Sequence, residues 1–156
     1  MRLTKFTDYS LRVLILAAST QDRNLTITEA AARYRISAPH LKKVVRTLSR
    51  EGFLEGTRGR TGGFRLARPP EEVNLGAVIR ATESDFKMVE CFTSDDACSI
   101  SPICKLPKVI DRAVLAMLEV FDGYTLADIS LADRLHELLP ATQKSPLRPL
   151  SDETIG

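Results

Sequence analysis

Apolar residues recur at intervals of three and four along most of the chain, a period typical of amphipathic helices. Thr4 is a predicted helix cap, and the apolar positions of residues 6–17 fall on one face of a first helix. The sequence "TITE", Thr26 to Glu29, has the form of a capping box and predicts a short second helix that continues through Tyr34. The chain is therefore predicted to begin with two helices joined by a turn.

A third helix is predicted after the interruption at "ISAP", with Ser37 as its cap and Pro39 in its first turn. Its buried face comprises Leu41, Val44, Val45 and Leu48. The opposite face is basic and comprises Pro39, Lys43, Arg46 and Arg50, with His40, Lys42 and Thr47 on its flanks. Two helices joined by a tight turn, the second with a basic outer face, indicate a helix-turn-helix that inserts this face into the major groove of DNA.

The stretch "FLEGTRGRTGGFRLA", residues 53–67, predicts two short strands around a glycine-rich tip. Leu54, Phe64 and Leu66 alternate with polar residues, as expected of a half-buried hairpin. A phosphate-binding loop is excluded because "GRTGGF" lacks the Gly-Lys-Ser/Thr ending and no helical pattern follows it. Arg58 and Arg60 lie on the tip, with Arg65 beside it, where a narrow minor groove would attract them. The hairpin is therefore the predicted wing of a winged helix-turn-helix.

The second half of the chain begins with a Pro69–Pro70 link and a short helix capped by Asn74. A longer helix follows, whose uninterrupted apolar stripe comprises Ile110, Ala113, Val114, Met117, Leu118 and Phe121. This stripe could pack on its own domain, the ordinary outcome. A protein that reads a two-fold operator needs a dimer, however, and the stripe is the predicted seam between two copies.

These elements predict a mainly α fold with a small β-hairpin, a winged helix-turn-helix plus a long dimerisation helix. The expected segments are residues 1–68 for the DNA-binding domain, 69–88 for the link and short helix, 89–107 for a cysteine loop, 108–140 for dimerisation and packing helices, and 141–156 for a disordered tail. In the fourth segment, a second apolar pattern, Leu131, Leu135, Leu138 and Leu139, is expected to pack back on the domain.

The net charge of +2 conceals a strong asymmetry between the two halves. Residues 1–68 have 14 Lys and Arg against 5 Asp and Glu, whereas the remaining residues have 8 against 15. A basic half suits double-stranded DNA, because each phosphate contact releases condensed counterions. The two halves are therefore predicted to face different partners, with DNA bound by the first.

All three cysteines, Cys91, Cys98 and Cys104, lie in the polar stretch "CFTSDDACSISPIC". An odd number of thiols argues against a secreted disulfide framework, and no apolar run is long enough to span a membrane, so we expect a soluble cytoplasmic protein. Three buried unligated thiols fit so polar a stretch poorly. Zinc stays open, although the two-residue spacing of most zinc sites is absent, and an iron–sulfur cluster held by thiolates is the other interpretation.

An enzyme with a cysteine nucleophile is a less favoured function. Such a thiol needs an activating base, and the two histidines are His40, on the predicted DNA face, and His136, in a late apolar pattern. The sequence contains no Cys-x-x-Cys motif. We therefore expect a regulator and not an enzyme.

The segments "LTKFTDYSLRVLILAA", "ISAPHLKKVVRTL", "GTRGRTGGFRLARPPEEVNLGAVIRATE" and "PICKL" together resemble a family of winged-helix regulators. The resemblance runs in order over roughly the first 130 residues, so it is far more specific than any single motif. The family includes the iron–sulfur-cluster regulator IscR and a branch of nitric-oxide-sensitive repressors. The IscR branch has a histidine shortly after the third cysteine, whereas this chain reads "CKLPKVI". That departure favours the nitric-oxide-sensitive branch.

The resemblance implies a homodimeric repressor with one iron–sulfur cluster per subunit, held by Cys91, Cys98 and Cys104. A 4Fe-4S cluster is favoured, with 2Fe-2S as the alternative, and Asp8 in the matching "FTDYSLR" is the predicted fourth ligand, from the same or the partner subunit. Nitric oxide would attack the irons, and the protein would then leave its operator. Sensing of iron–sulfur or redox status, or a structural zinc site, are the alternatives.

Overall fold

The computed structural model describes residues 2–20, 23–57, 62–89, 100 and 103–131. The helices are α1 Lys5–Ala18, α2 Ile27–Tyr34, α3 Ala38–Arg50, α4 Leu75–Thr82, α5 Leu106–Asp122 and α6 Leu126–Ile129; the strands are β1 Leu54–Thr57 and β2 Gly63–Leu66, and a 3-10 turn covers Pro70–Glu72. The mainly helical fold with one hairpin is therefore confirmed. Within the described ranges, no helix has the length and apolar character needed to cross a membrane.

Side chains cap three of the helices at the residues that the sequence predicts. The side-chain oxygens of Thr4, Thr26 and Asn74 each accept a hydrogen bond from the backbone N–H three residues later, at 3.2, 3.1 and 3.0 Å. The capping box at Thr26 is incomplete, however, because the Glu29 carboxylate binds the Arg23 guanidinium instead. The hydrogen bond from Arg23 lowers the pKa of Glu29 below its ordinary value.

One hydrophobic core joins the helix-turn-helix to the elements that follow it. Its members have little or no exposed surface and include Val13, Leu14, Leu41, Val44, Leu48, Leu54 and Phe64 from the first half and Val73, Val78 and Leu126 from the second. The charge boundary near Arg68 is therefore not a boundary in the packing.

The hairpin is anchored by a third extended segment. β1 and β2 pair antiparallel with Leu54 opposite Leu66 and Gly56 opposite Phe64. On the other side of β2, Leu25 and Phe64 exchange two backbone hydrogen bonds of 2.9 and 2.8 Å. Both side chains are only 1% exposed. The wing is thus fixed to the segment that leads into α2.

A short helix that the sequence analysis missed ties the end of α5 to the start of α4. The backbone N–H of Leu126 in α6 donates to the Val73 carbonyl at 2.8 Å, and that of Leu75 donates to the Tyr124 carbonyl at 3.0 Å. The Leu126 side chain is fully buried. The apolar pattern expected to pack back on the domain begins at Leu131, which is 40% exposed, and continues outside the described residues.

Candidate nucleic-acid interface and sensor segment

α3 turns a basic face away from the core. Leu41, Val44 and Leu48 are fully buried, whereas the DNA-binding residues predicted on this helix are all exposed: Pro39, His40, Lys42, Lys43 and Arg46. The first turn of α3 contains no acidic residue. A polyanion could therefore approach this face without meeting a carboxylate from that turn.

Ser37 is the N-cap residue of α3, as predicted, but its side chain forms no capping hydrogen bond. Its hydroxyl forms a 3.0 Å hydrogen bond with Nδ1 of His40 instead. Ser37 has extended backbone angles and both side chains are exposed. The pair therefore presents a hydroxyl and an imidazole together at the N-terminal end of α3.

The turn between α2 and α3 contains an unusual backbone conformation that sequence analysis did not detect. Arg35 adopts the left-handed region, with φ 54° and ψ 41°. Among the described non-glycine residues, it alone has a positive φ. Its backbone N–H, like that of Ile36, donates to the Ala31 carbonyl and so helps to close the end of α2.

Two arginines support the hairpin itself, one in β2 and one directly after the hairpin. The guanidinium of Arg65 pairs with the Glu55 carboxylate across the two strands. The Arg68 guanidinium donates to the Gly52 carbonyl at 2.9 Å and lies 5.9 Å from the centre of the Phe53 ring. The predicted minor-groove residues of the tip, Arg58 and Arg60, lie outside the described residues.

Of the three cysteines, only Cys104 falls within the described residues, and its thiol is free and half-buried. Its backbone N–H donates to the Ile100 carbonyl at 3.0 Å. Cys104 comes directly before Lys105, the N-cap of α5, and α5 has no acidic residue in its first turn. Cys91 and Cys98 lie outside the described residues.

Asp8, the predicted fourth ligand, lies in the first turn of α1 and pairs with Arg12 one turn later. Arg12 contacts both carboxylate oxygens, with Nη2 at 2.9 Å from Oδ2 and Nε at 3.1 Å from Oδ1. The Asp8 side chain is 45% exposed. Its carboxylate is accessible, but a metal would have to compete with Arg12 for it.

α1 and α4 are joined close to Asp8. The Glu83 carboxylate, at the end of α4, accepts a 2.8 Å hydrogen bond from the backbone N–H of Thr4 and a 3.3 Å bond from its hydroxyl. Thr4 caps α1, and its carbonyl accepts from the backbone N–H of Asp8 at 3.0 Å. The position of the turn that carries Asp8 is therefore coupled to α4.

The far end of α5 is clamped to α4. Both nitrogens at the tip of the Arg80 guanidinium lie 2.6 Å from carboxylate oxygens of Asp122. Asn74 donates a further 2.7 Å hydrogen bond to the Asp122 carbonyl. The hydrogen bond from Arg80 lowers the pKa of Asp122, which is therefore ionised at neutral pH.

The apolar stripe predicted as a dimer seam lies mostly against its own chain. Leu118 is 6% exposed, and Ile110, Val114, Met117 and Phe121 are half-buried. The last three of these line a cleft of about 540 Å³ beside residues 83–88. Ala113 is exposed and belongs to a neighbouring row of exposed apolar residues on α5. This row comprises Leu106, Val109, Ala113, Ala116 and Val120.

A family of known regulators matches this chain over residues 3–131, and the family description reads "Iron-dependent Transcriptional regulator". The chain belongs to the Rrf2 family. The family resemblance indicated by the sequence motifs is therefore confirmed.

Close relatives within the Rrf2 family have one name in common. The "HTH-type transcriptional regulator NsrR" of Bacillus licheniformis is 48% identical over 142 residues, which cover 89% of this chain and 99% of the relative. The protein of the same name from Bacillus subtilis is 49% identical over 131 residues, or 83% and 90% of the two chains. These names describe a non-enzymatic function, so this Rrf2 protein is a DNA-binding transcriptional regulator and not an enzyme.

Solved structures support the Rrf2 fold. The structure "T. potens IscR" superimposes with a TM-score of 0.64 at 24% identity, covering 83% of this chain and 85% of that chain. "The Structure of CymR (YrzC) the Global Cysteine Regulator of B. subtilis" gives a TM-score of 0.63 at 24% identity, covering 83% and 96%. At this level of identity the likeness concerns the fold alone.

Proposed function

We propose that this Rrf2 regulator is a cytoplasmic, homodimeric repressor that holds an iron–sulfur cluster, senses nitric oxide and then releases operator DNA. The observation that carries the proposal is the position of Cys104, which ends the cysteine stretch and lies directly before the N-cap residue of α5. A change at the cysteines would thus act on a helix that is clamped to α4, and α4 shares a hydrophobic core with α1 of the DNA-binding half. The relatives named NsrR and the iron dependence in the family description support the same function.

The residues present fit such a cluster in chemical kind. Thiolates are its usual ligands, and Cys104 supplies a free, half-buried thiol next to a helix N-terminus that is not occupied by an acidic side chain. Cys91, Cys98 and Cys104 would hold three of the irons of a 4Fe-4S cluster, and Asp8 would hold the fourth. When bound, the cluster would supply irons that react with nitric oxide.

Asp8 suits a role as the replaceable ligand. A carboxylate is a harder ligand than a thiolate, so it binds iron of such a cluster less tightly. Arg12 already contacts both of its oxygens and would recapture the carboxylate when the metal leaves. The hydrogen bonds from Thr4 to Glu83 would pass a movement of this turn to α4.

DNA recognition would use α3 and the wing. Lys43 and Arg46 are proposed to reach base edges in the major groove, with Ser37, Pro39, His40 and Lys42 around them, and Arg58 and Arg60 would enter the minor groove. A dimer would place two copies of α3 about one helical turn of DNA, roughly 34 Å, apart. A small change in this separation misplaces one α3 in its groove, which is sufficient for release.

The proposed dimer seam is the exposed apolar row of α5. Val109 and Val120 are 60% and 61% exposed, and Leu106 is 49% exposed. The row from Leu106 to Val120 advances by alternating steps of three and four residues, the spacing of a seam between two helices. Ala113 belongs both to this row and to the seam predicted from the sequence.

The test titrates nitric oxide into the anaerobically purified protein while cluster absorption and DNA binding are measured together. We expect a brown protein whose DNA binding falls as its absorption changes. Binding that persists after complete loss of the cluster would refute the switch, and a colourless protein with stoichiometric zinc would refute the cluster. A response to iron or oxidants without a response to nitric oxide would favour the alternative, a sensor of iron–sulfur or redox status.

The Asp8→Ala variant tests the fourth ligand separately. We expect it to keep a cluster held by three thiolates, with altered absorption and a changed rate of reaction with nitric oxide. Arg12→Ala is the matched control, because it removes the partner of Asp8 and leaves the proposed ligand in place. If Asp8→Ala matched the parent protein in spectrum, cluster lifetime and response, Asp8 would be only a charge at the end of α1.

A further inference from the structure

The turn that leads into α3 contains a conformation that its residue disfavours. Arg35 has φ 54° and ψ 41°, in the left-handed region, where the side chain of an L-residue crowds its own backbone. Glycine is usual at this position after a helix, and asparagine is the next best tolerated. An arginine therefore weakens the turn relative to glycine. The geometry of the turn does not explain why an arginine is present at this position.

The fold requires the left-handed conformation itself. The backbone N–H groups of Arg35 and Ile36 both donate to the Ala31 carbonyl, the pattern of a helix closed by a left-handed residue. Ile36 then turns inward and is 7% exposed. The chain cannot relax at Arg35 without losing the end of α2 and the entry into α3.

The Arg35 side chain has no evident structural task in the part of the chain that the structure describes. It is exposed, and the ion pairs of the described residues use other arginines: Arg12, Arg23, Arg50, Arg65 and Arg80. No Asp or Glu lies between Ala30 and Arg50, so none is close in sequence. This strained, exposed cation stands two residues before Ser37, the first residue of the DNA-facing end of α3.

We propose that Arg35 binds a phosphate of the DNA backbone at the edge of the major groove that α3 enters. Arginine is suited to this role because its planar guanidinium can donate two hydrogen bonds to one phosphate. Such a contact fixes the register of α3 on the duplex without reading a base. The inference rests on DNA binding by α3 and is independent of the cluster and of nitric oxide.

A simpler role for Arg35 would be a favourable charge at the C-terminal end of α2. The two roles differ in their consequences. A helix-end charge contributes to folding and leaves the salt dependence of DNA binding unchanged, whereas a phosphate contact contributes to that salt dependence and little to folding. Glycine at position 35 separates them, because it relieves the backbone and removes the guanidinium.

The experiment compares the full-length parent protein with Arg35→Gly by fluorescence anisotropy on a mixed-sequence DNA duplex over a range of KCl concentrations. The slope of log Kobs against the logarithm of the salt concentration is negative, and each lost phosphate contact should reduce its magnitude by roughly 0.9 per chain bound. We expect weaker binding at low salt, this smaller slope, and a urea midpoint equal to or higher than that of the parent. Arg112→Gln, which removes an exposed arginine on α5, is the control for net charge and should keep the parent slope.

A second variant guards against an effect of glycine on the turn. Arg35→Asn also tolerates the left-handed region, so it should reproduce the change in slope. A parent slope in Arg35→Gly, or different slopes for the two variants, would overturn the proposal. A parent protein that fails to bind duplex DNA would instead refute the DNA-binding role of α3.

Discussion

A methyl group at Gly63 should displace the wing from its anchor. A Cβ at this position would lie 2.4 Å from the Leu25 carbonyl oxygen and 3.0 Å from its carbonyl carbon. Both are backbone atoms, so no side-chain rotation relieves the clash. Gly63→Ala must therefore move β2 away from Leu25, and the two hydrogen bonds that Leu25 exchanges with Phe64 lie at the point of separation.

The cost follows from these contacts. Each backbone hydrogen bond contributes about 0.5–1.5 kcal/mol, so loss of the pair costs about 1–3 kcal/mol. Replacing glycine by alanine restricts the unfolded chain and returns about 0.4–1 kcal/mol. We expect the free energy of unfolding to fall by about 1 kcal/mol, which corresponds to a Tm lower by roughly 2–4 °C for a chain of this size.

Calorimetry and a DNA-binding titration would measure the two consequences. Gly56→Ala is the matched control, since a Cβ at Gly56, in the facing strand, meets no atom closer than 3.9 Å. We expect Gly63→Ala to bind DNA more weakly than this control, because β2 carries the wing tip. Equal Tm and equal affinity for the two variants would refute the assignment of Leu25 as the anchor.

Three further predictions concern α5, the wing and the clamp. Leu118→Ala should lower the free energy of unfolding by about 2–5 kcal/mol in urea denaturation without changing the oligomeric state, whereas Val109→Asp should give monomers in sedimentation. A Val109→Asp variant that remains dimeric would place the seam elsewhere. Arg60→Ala should weaken DNA binding and reduce the preference for A·T-rich flanks. An unchanged affinity over a range of salt concentrations would show that the wing does not contact DNA. Because the pKa of Asp122 is lowered, its contribution to stability is complete above the unfolded value of about 3.9 and is lost as pH falls through the folded value. Asp122→Asn should therefore be less stable than the parent at neutral pH and converge with it in acid melts.

The helix starts were predictable because their signals are local. Thr4, Thr26 and Asn74 each act on a backbone N–H only three residues away, so their effect can be seen in the sequence. The hairpin was predictable for a similar reason, since alternation and glycines specify the two strands and their turn.

The predictions failed where a competing side chain, or a contact distant in sequence, determines the structure. Ser37 has a suitable side chain for a cap, but His40 lies one turn later and takes its hydroxyl. Glu29 could have closed the capping box, yet Arg23 outside the helix pairs with it. Periodicity also shows that α5 has an apolar face without showing what covers it, and the burial of Leu118 depends on tertiary contact.

The α6 helix was missed because it is too short to have a period. Four residues do not complete a repeat, and its stability comes from the full burial of Leu126 and from its bond to Val73. The left-handed Arg35 was missed for the opposite reason. The residue gives no local signal for that conformation, since glycine or asparagine is the usual sign of it.

The packing indicates where a sensor signal could act. Val73, Val78 and Leu126 belong to the same core as α1 and α3, so the elements next to the link cannot move as a separate body without opening that core. The C-terminal end of α5 is held to α4 by the two hydrogen bonds from Arg80 to the Asp122 carboxylate and by the hydrogen bond from Asn74 to the Asp122 carbonyl. The N-terminal end of α5, next to Cys104, exposes Leu106 and Val109, so these two side chains are largely unpacked among the described residues. A change at the cysteines should therefore pivot α5 about its clamped end, and in a dimer joined through α5 such a pivot alters the separation of the two α3 helices while each DNA-binding unit stays intact.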